Sequence, residues 1–290
     1  MPTPYETITE RILTLIDAGT CPWRMPWSKI DITAQANGVS EKSYNGINQV
    51  LTYMTAYSMG YTSPYWLTYK QAQELGGQVR KGEKGTPVVR FGEYTRENED
   101  GEAVSGAFLK QYYVWNAAQI DGLDDDKYKP AIVEARDSVT AIESCERIVH
   151  EWLGKPEIKH EGQRACYSPK FDIVKMPPQA TFVSDELYYN TLFHELGHST
   201  GHESRLSRKC VTDQVSFGSH TYGCEELVAE FTAAFLCQSA GIDSPTIEQS
   251  ASYLASWKKA IQADAKMLVV AAGQAQKAAD MILGKVLVTA

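Results

Sequence analysis

Cysteine is scarce in this chain of 290 residues, and its six cysteines stand apart. Cys21, Cys145, Cys166, Cys210, Cys224 and Cys237 form no CxxC pair. That excludes a zinc ribbon and a disulfide scaffold and fits a reducing compartment. No apolar run reaches the roughly 18 residues that a membrane helix needs, so no membrane partner is expected. The opening stretch "MPTPYETITERILTLIDAG" carries acids early and lacks an apolar h-region, so the expected location is cytoplasmic. Internal repeats and low-complexity tracts are absent. Excess positive charge is missing too: 28 Lys and Arg stand against 36 Asp and Glu, a net charge of −8. Taken alone, that balance argues against nucleic acid. What remains is ordinary for a folded chain, with 43% hydrophobic and 22% charged residues.

The charge is unevenly spread, however. Residues 1–120 hold 11 Lys and Arg against 12 Asp and Glu, while the remainder holds 17 against 24. A nearly neutral half can still present a basic face, because local potential attracts phosphates. The same half carries 16 of the 30 aromatic residues. Between the halves runs "IDGLDDDKYKP" (Ile120 to Pro130), acidic, aromatic-poor and ending in proline. The expected organisation is a domain over 1–120, a linker over 121–136 and a second domain over 137–290.

Periodicity places the elements. Ile8, Ile12, Leu15 and Ile16 mark a helix closed by Gly19, and residues 47–59 form another, ending at Gly60. Thr68 caps "YKQAQEL", which Gly76 and Gly77 stop. "TPVVRFGEY" and "AFLKQYYVWN" have strand composition and flank the loop "NEDGEAVSG" as a hairpin would. In the second half, residues 137–153 and 224–240 read as helices, and "FDIVKMP" as a strand. Ser184 caps a helix that runs to about Thr200 and stops at Gly201. From Thr246 to Leu283 the chain reads as helix, bent near Gly273. The fold class is α+β, with an α+β first domain and a mostly helical second.

The stretch "TLFHELGHSTGHESRL" (Thr191 to Leu206) contains HExxH. His194 and His198, four apart on a helix, project from one face and can share an ion. Glu195 can reach the water that such an ion activates and act as its general base. A third ligand is sought in "YGCEELVAEFTAAFL". Glu226 and Glu230 share a face with Ala229 and Ala233 on an otherwise apolar segment, and a carboxylate there needs a reason. Glu226 is the leading ligand, with Glu230 supporting it; Glu225, about 100° around the helix, is expected to face solvent. Two histidines, one carboxylate and an open position make a catalytic arrangement. His202 reads as a supporting or structural residue, since Gly201 interrupts the helix before it. Tyr222 is a candidate for stabilising an oxyanion. One divalent metal is expected, zinc first and manganese second, because both accept these donors.

In the first half, Tyr53, Tyr57, Tyr61, Tyr65 and Tyr69 recur at helical spacing. They are either core residues with wet hydroxyls or a stacking platform for unpaired bases. Arg80, Lys81, Lys84 and Arg90 follow in "GGQVRKGEKGTPVVR", where glycines let a backbone approach phosphates.

Several long motifs are shared with one family in the same order. They are "PWRMPW" (Pro22 to Trp27), "YNGIN" (Tyr44 to Asn48), "GYTSPYWLTYKQAQELGGQVRKGEKG" (Gly60 to Gly85), "YYVWN", "YSPKFDIVKMP", "HELGHSTGHESRL" and "EELVAE". Through them the chain resembles the ArdC antirestriction family, encoded on conjugative plasmids and related mobile elements. The resemblance implies a first domain that binds single-stranded DNA and a second that is a zincin-like metallopeptidase module. It also implies protection of incoming plasmid DNA from host restriction. The substrate of the second domain is expected to be a host protein or the protein itself. Carried over residue by residue, it places metal on His194, His198 and Glu226 and phosphate on Arg80, Lys81 and Lys84, while Tyr44, Asn48 and Trp27 serve either the fold or DNA. Arg90 joins the DNA-binding candidates from its place in the basic stretch. Two rival readings stay open: a DNA-occluding protein with a structural metal site, and a plain metallopeptidase.

Overall fold

The computed structural model describes residues 2–19, 21, 23, 35–97, 103–128, 138–212, 220–243 and 251–285. The chain divides into two units, one of Met1–Glu10 with Ile32–Ile132 and one of Arg11–Asp31 with Val133–Ala290. Helix α1 (Pro4–Asp17) opens with a capping pair. The Thr3 backbone N–H donates to Glu6 Oε2 at 2.6 Å, and the Glu6 N–H donates to Thr3 Oγ1 at 3.3 Å. Ile8, Ile12 and Ile16, one turn apart, are buried as their spacing requires.

Besides the first residues of α1, the first unit contains β1 (Ala36–Asn37), α2 (Ile47–Met59), β2 (Tyr65–Leu67), α3 (Tyr69–Glu74), β3 (Gln78–Val79), β4 (Thr86–Glu97), β5 (Ala103–Asn116), β6 (Ile120–Asp121) and α4 (Asp125–Tyr128). Its main sheet has the order β1-β2-β5-β4, and β3 pairs with β6. The helix boundaries match the sequence. Gly60 caps α2 at φ 67, and Thr68 with Gln71 forms a reciprocal capping box for α3. The hairpin is longer than expected, because Ala103–Gly106 is strand and pairs with Tyr94–Glu97. Cross-strand contacts carry it outward: the hydroxyls of Thr95 and Ser105 are 3.1 Å apart, and the Tyr94 ring covers Gly106. Residues 98–102 lie outside the described residues.

Part of the expected linker folds into this unit. Tyr128 packs in a core with Leu67, Ala72, Val79, Ala117 and Ile120, and its hydroxyl donates to the Gly38 carbonyl at 3.0 Å. One aromatic anchor is enough to hold an acidic stretch whose charges stay in water. Residues 129–136 of that linker lie outside the described residues.

The second unit contains α5 (Ser138–Glu151), β7 (Glu157–His160), β8 (Cys166–Ser168), β9 (Ile173–Met176), α6 (Asp185–Ser199), α7 (Lys209–Thr212), α8 (His220–Ala240), α9 (Ala251–Ala263) and α10 (Met267–Ile282). The sheet order is β7-β9-β8, with β8 antiparallel at one edge. Ser184 Oγ accepts from the Leu187 N–H at 3.2 Å and starts α6, as expected. The bend expected at Gly273 lies instead at residues 264–266, where Asp264 Oδ1 accepts the Lys266 N–H at 2.8 Å. Gly273 sits within α10 facing open space. Helix α8 begins at His220, before the expected 224, so Tyr222 is helical and not in a loop. Trp23 is buried edge-on against Phe231 and Trp257, at centroid distances of 5.4 and 5.5 Å.

The contact that organises this unit lies inside HExxH. A Cβ at Gly197 would stand 3.1 Å from Thr232 Cβ and 3.2 Å from Ala229 Cα. Glycine facing alanine lets α6 and α8 approach almost backbone to backbone. Two glycine substitutions should therefore move stability in opposite directions. Gly197→Val overpacks the helix contact and should cost about 1–3 kcal/mol. Gly273→Ala fills open space on an exposed helical position and should gain up to about 1 kcal/mol. Urea unfolding of both variants measures the two signs.

Candidate metal centre

Helix α6 carries both histidines toward α8, and the Gly197 approach brings Glu226 opposite them. His194 Nε2 and His198 Nε2 are 3.1 Å apart. Glu226 Oε2 lies 3.6 Å from His194 Nε2, and its Oε1 lies 3.6 Å from His198 Nε2. An ion held tetrahedrally by bonds of about 2.1 Å needs ligand atoms about 3.4 Å apart. Each histidine nitrogen is within about 0.3 Å of that spacing from its neighbour and from one Glu226 oxygen, and imidazole with carboxylate suits zinc or manganese. Among the described residues these three form the one group of His, Cys, Asp and Glu with donor atoms converging within 4.8 Å.

The surroundings favour positive charge there. Burial works against the His194 imidazolium, but the Glu226 hydrogen bond and the charges of Glu230, Glu195 and Glu226 outweigh it and raise the group to about 9. Burial likewise opposes the Glu226 carboxylate, yet the His194 hydrogen bond and the charges of His198 and His194 hold it at about 2. Tyr222 donates to Glu226, and burial together with that hydrogen bond pushes its hydroxyl up to about 12.

Behind His198 lies a buried chain of charges. Its Nδ1 is 3.4 Å from Glu225 Oε1. Arg208 grips the same carboxylate twice, Nε to Oε2 at 2.9 Å and Nη2 to Oε1 at 2.6 Å. The guanidinium also donates to Thr200 Oγ1 at 2.7 Å and to the Gly197 carbonyl at 2.9 Å. Glu225, expected in solvent, is therefore buried at 5% exposure. Its pKa is lowered: burial opposes the charged form, and the hydrogen bonds from Arg208 and His198 prevail. Gly201, the expected helix stop, follows the last residues of α6 but also makes room for this arginine. A Cβ there would stand 2.5 Å from Val211 Cγ2 and 3.0 Å from Arg208 Cζ. Sequence reasoning missed Arg208. Its signal was a second carboxylate in "EELVAE" on a helix too apolar to leave two charges unpaired.

A cavity of about 960 Å³ opens onto the centre, lined by His194, Glu195, His198, His202, Tyr222 and Glu226 with the edge strand around Tyr167. Glu195 is 8% exposed and Glu230 is 9% exposed. His202 lines the cavity, with its Nδ1 2.8 Å from Ser204 Oγ, outside the converging three. Arg205 anchors the cavity wall, donating to the Ser199 carbonyl at 2.8 Å and pairing with Asp172, which sits at φ 50.

The residues expected to bind DNA have different surroundings. Asn48 Nδ2 donates to the Val89 carbonyl at 2.7 Å and Asn48 Oδ1 accepts the Val89 N–H at 2.8 Å, pinning α2 to β4. Tyr44 is half-buried and hydrogen-bonded to Asn37. Arg80 is engaged by Glu83, Asp121 and the Ala118 carbonyl. Lys81, Lys84 and Arg90 are exposed. Trp27 lies outside the described residues. The tyrosine series divides: Tyr53 is fully buried, whereas Tyr57 and Tyr69 are 38% and 42% exposed.

Fold and site together define a two-domain protein with a zincin-like centre, and comparison with known proteins agrees. Residues 143–274 match the zincin-like metallopeptidase family, and residues 2–115 match the N-terminal domain of anti-restriction factor ArdC. The structure is similar to the antirestriction ArdC protein of plasmid R388, at TM-score 0.75 and 41% identity. The metal-free form of that protein is covered over 96% of each chain, and its Mn(II)-bound form over 99% of each. Protein y4eC of Sinorhizobium fredii (strain NBRC 101917 / NGR234), which is uncharacterised, is 35% identical over 95% of this chain and 90% of its own. DNA primase TraC of Escherichia coli is 34% identical over 96% of this chain, which spans only 27% of that protein. The chain belongs to the ArdC antirestriction family. Among the described residues no helix is long and apolar enough to cross a membrane.

Two measurements follow from the charge arrangement. A raised imidazole stabilises the fold below its unfolded value near 6.5, and this contribution disappears as pH rises through about 9. The melting temperature of chelator-treated protein should therefore fall across that window. With divalent metal present it should fall less or rise, because His194 must lose its proton to bind. Arg208→Ala leaves Glu225 buried and unpaired, and should cost about 3–5 kcal/mol of stability and 10- to 100-fold in metal affinity. Denaturant unfolding and metal titration read the two effects separately.

Proposed function

We propose that this protein protects incoming DNA of a mobile element from restriction in the cytoplasm, binding single-stranded DNA through its first unit and hydrolysing a peptide bond in its second. The observation that carries the hydrolytic part is the convergence of His194, His198 and Glu226 at a cavity that also holds Glu195 and Tyr222. His194 Nε2, His198 Nε2 and a Glu226 oxygen would hold one divalent ion. Zinc is the first choice at equal supply, and the Mn(II)-bound relative supports manganese as the alternative. Such an ion supplies Lewis acidity, polarising a carbonyl and making water a stronger acid.

The chain's own residues do the rest. The Glu195 carboxylate takes a proton from the attacking water and returns it to the departing amine. Tyr222, with its hydroxyl pushed up to about 12, stays protonated at neutral pH and can donate to a developing oxyanion. Arg208 and Glu225 hold the His198 ring in its ligating orientation. Glu230 adds negative charge near His194, and His202 shapes the cavity wall. The edge strand β8 can align an extended peptide along the cavity, for which a host protein is the candidate substrate.

For DNA, the exposed Lys81, Lys84 and Arg90 are the phosphate contacts in this reading. Arg80, Tyr44 and Asn48 have structural partners and support the fold that presents those cations.

Glu195→Gln keeps the shape and removes the base. At matched expression it should abolish protection of a plasmid transferred into a restricting host while leaving metal content unchanged, with hydrolysis reduced about 10²- to 10⁴-fold. Protection equal to wild type would contradict the hydrolytic role and leave DNA occlusion as the mechanism.

A further inference from the structure

Beyond the buried Val88, the hairpin of β4 and β5 carries a face whose rings and cations are exposed. Paired residues point to the same side of an antiparallel ladder, and alternate pairs point to opposite sides. The pairs Val88–Tyr112, Arg90–Lys110, Gly92–Phe108 and Tyr94–Gly106 therefore share one face. Arg90 stands directly opposite Lys110, an arrangement of like charges that weakens a sheet. These four pairs include no acidic residue; Glu93 lies on the other face.

The aromatic rings lie over the strands. The atoms that a Cβ at Gly92 would meet all belong to the Phe108 ring, and those at Gly106 all belong to Tyr94. Each ring thus covers a glycine on the neighbouring strand. Their centroids are 6.4 Å apart and their planes are tilted by 33°. Phe108 is 45% exposed, Tyr94 41% and Tyr112 36%, and Lys110 Nζ lies 5.3 Å from the Tyr112 ring centroid. Exposed rings on a ladder with cations side by side suit a ligand that is both flat and anionic.

We infer that this hairpin face is the base-stacking platform for single-stranded DNA: Tyr94 and Phe108 each receive an unpaired base, while Arg90 and Lys110 hold the adjoining phosphates. The inference rests on the proposed binding of single-stranded DNA and gives it a place. The two glycines are part of the device, because they let the rings lie against the opposite strand while staying 41% and 45% exposed. Stacking on rings is tolerant of sequence, so the platform suits a strand of any composition. Paired bases in a duplex are stacked on each other and offer it nothing.

The test is titration of the full chain with a fluorescein-labelled 30-mer of thymidine and with a duplex of equal length, over a range of salt. Tyr94→Ala with Phe108→Ala should weaken binding to the single strand about tenfold or more at every salt concentration. The slope of log affinity against log salt should stay unchanged. Arg90→Gln with Lys110→Gln should instead flatten that slope by about 0.7 for each phosphate no longer neutralised. Phe91→Ala, on the opposite face and 57% exposed, should bind as wild type. Wild-type affinity in the Tyr94 and Phe108 variant overturns the platform and leaves the broader reading intact. An equal weakening in the Phe91 variant overturns it too, because the face would not matter. If wild-type protein binds the thymidine strand no better than duplex, the platform and the broader reading fail together.

Discussion

Everything in the second unit depends on how closely α6 and α8 approach. The histidines come from one helix and the third donor from the other, so the centre exists only where the two backbones meet at Gly197 and Ala229. A larger side chain at either position would separate the donors by more than an ion can span. Packing fixes the spacing first, and the charges then exploit it. The small residues of HExxH and of the helix opposite are as much a part of the candidate site as the side chains that converge there.

That spacing concentrates negative charge. Glu195, Glu225, Glu226 and Glu230 are all buried or half-buried around two imidazoles, and Arg208 neutralises one of them. Burial makes such an excess costly unless a cation answers it. The raised imidazole of His194 and the depressed carboxylate of Glu226 express the same preference, which a divalent ion satisfies more fully than a proton. Arg208 serves a different end. Through Glu225 it fixes the far side of the His198 ring, and through Thr200 and the Gly197 carbonyl it ties that ring to the end of α6.

What was legible in the sequence follows from what is local. Helix ends at Gly60, Thr68 and Ser184 were readable because caps act within one turn. That His194 and His198 share a face was readable because i, i+4 spacing survives in any helix. Glu225 was misplaced, because its burial depends on an arginine 17 residues earlier, brought over by a turn that periodicity does not describe. The length of the hairpin escaped for a related reason. "AVSG" reads as loop by composition, and it becomes strand only because Thr95 and Tyr94 pair across to Ser105 and Gly106. Arg80 looked like a free cation until Glu83 and Asp121 were found beside it.

The central claim is that two histidines of α6 and one glutamate of α8 form a single divalent metal site. It is tested most directly by counting ions. Protein purified with zinc or manganese, then dialysed, is analysed for bound metal beside the Glu226→Gln variant. The account predicts one ion per chain in the wild type and a near-complete loss in the variant, which keeps the shape of the side chain and removes its charge. Equal metal content in both would mean that Glu226 is not a ligand, and the reading of the centre would have to be abandoned.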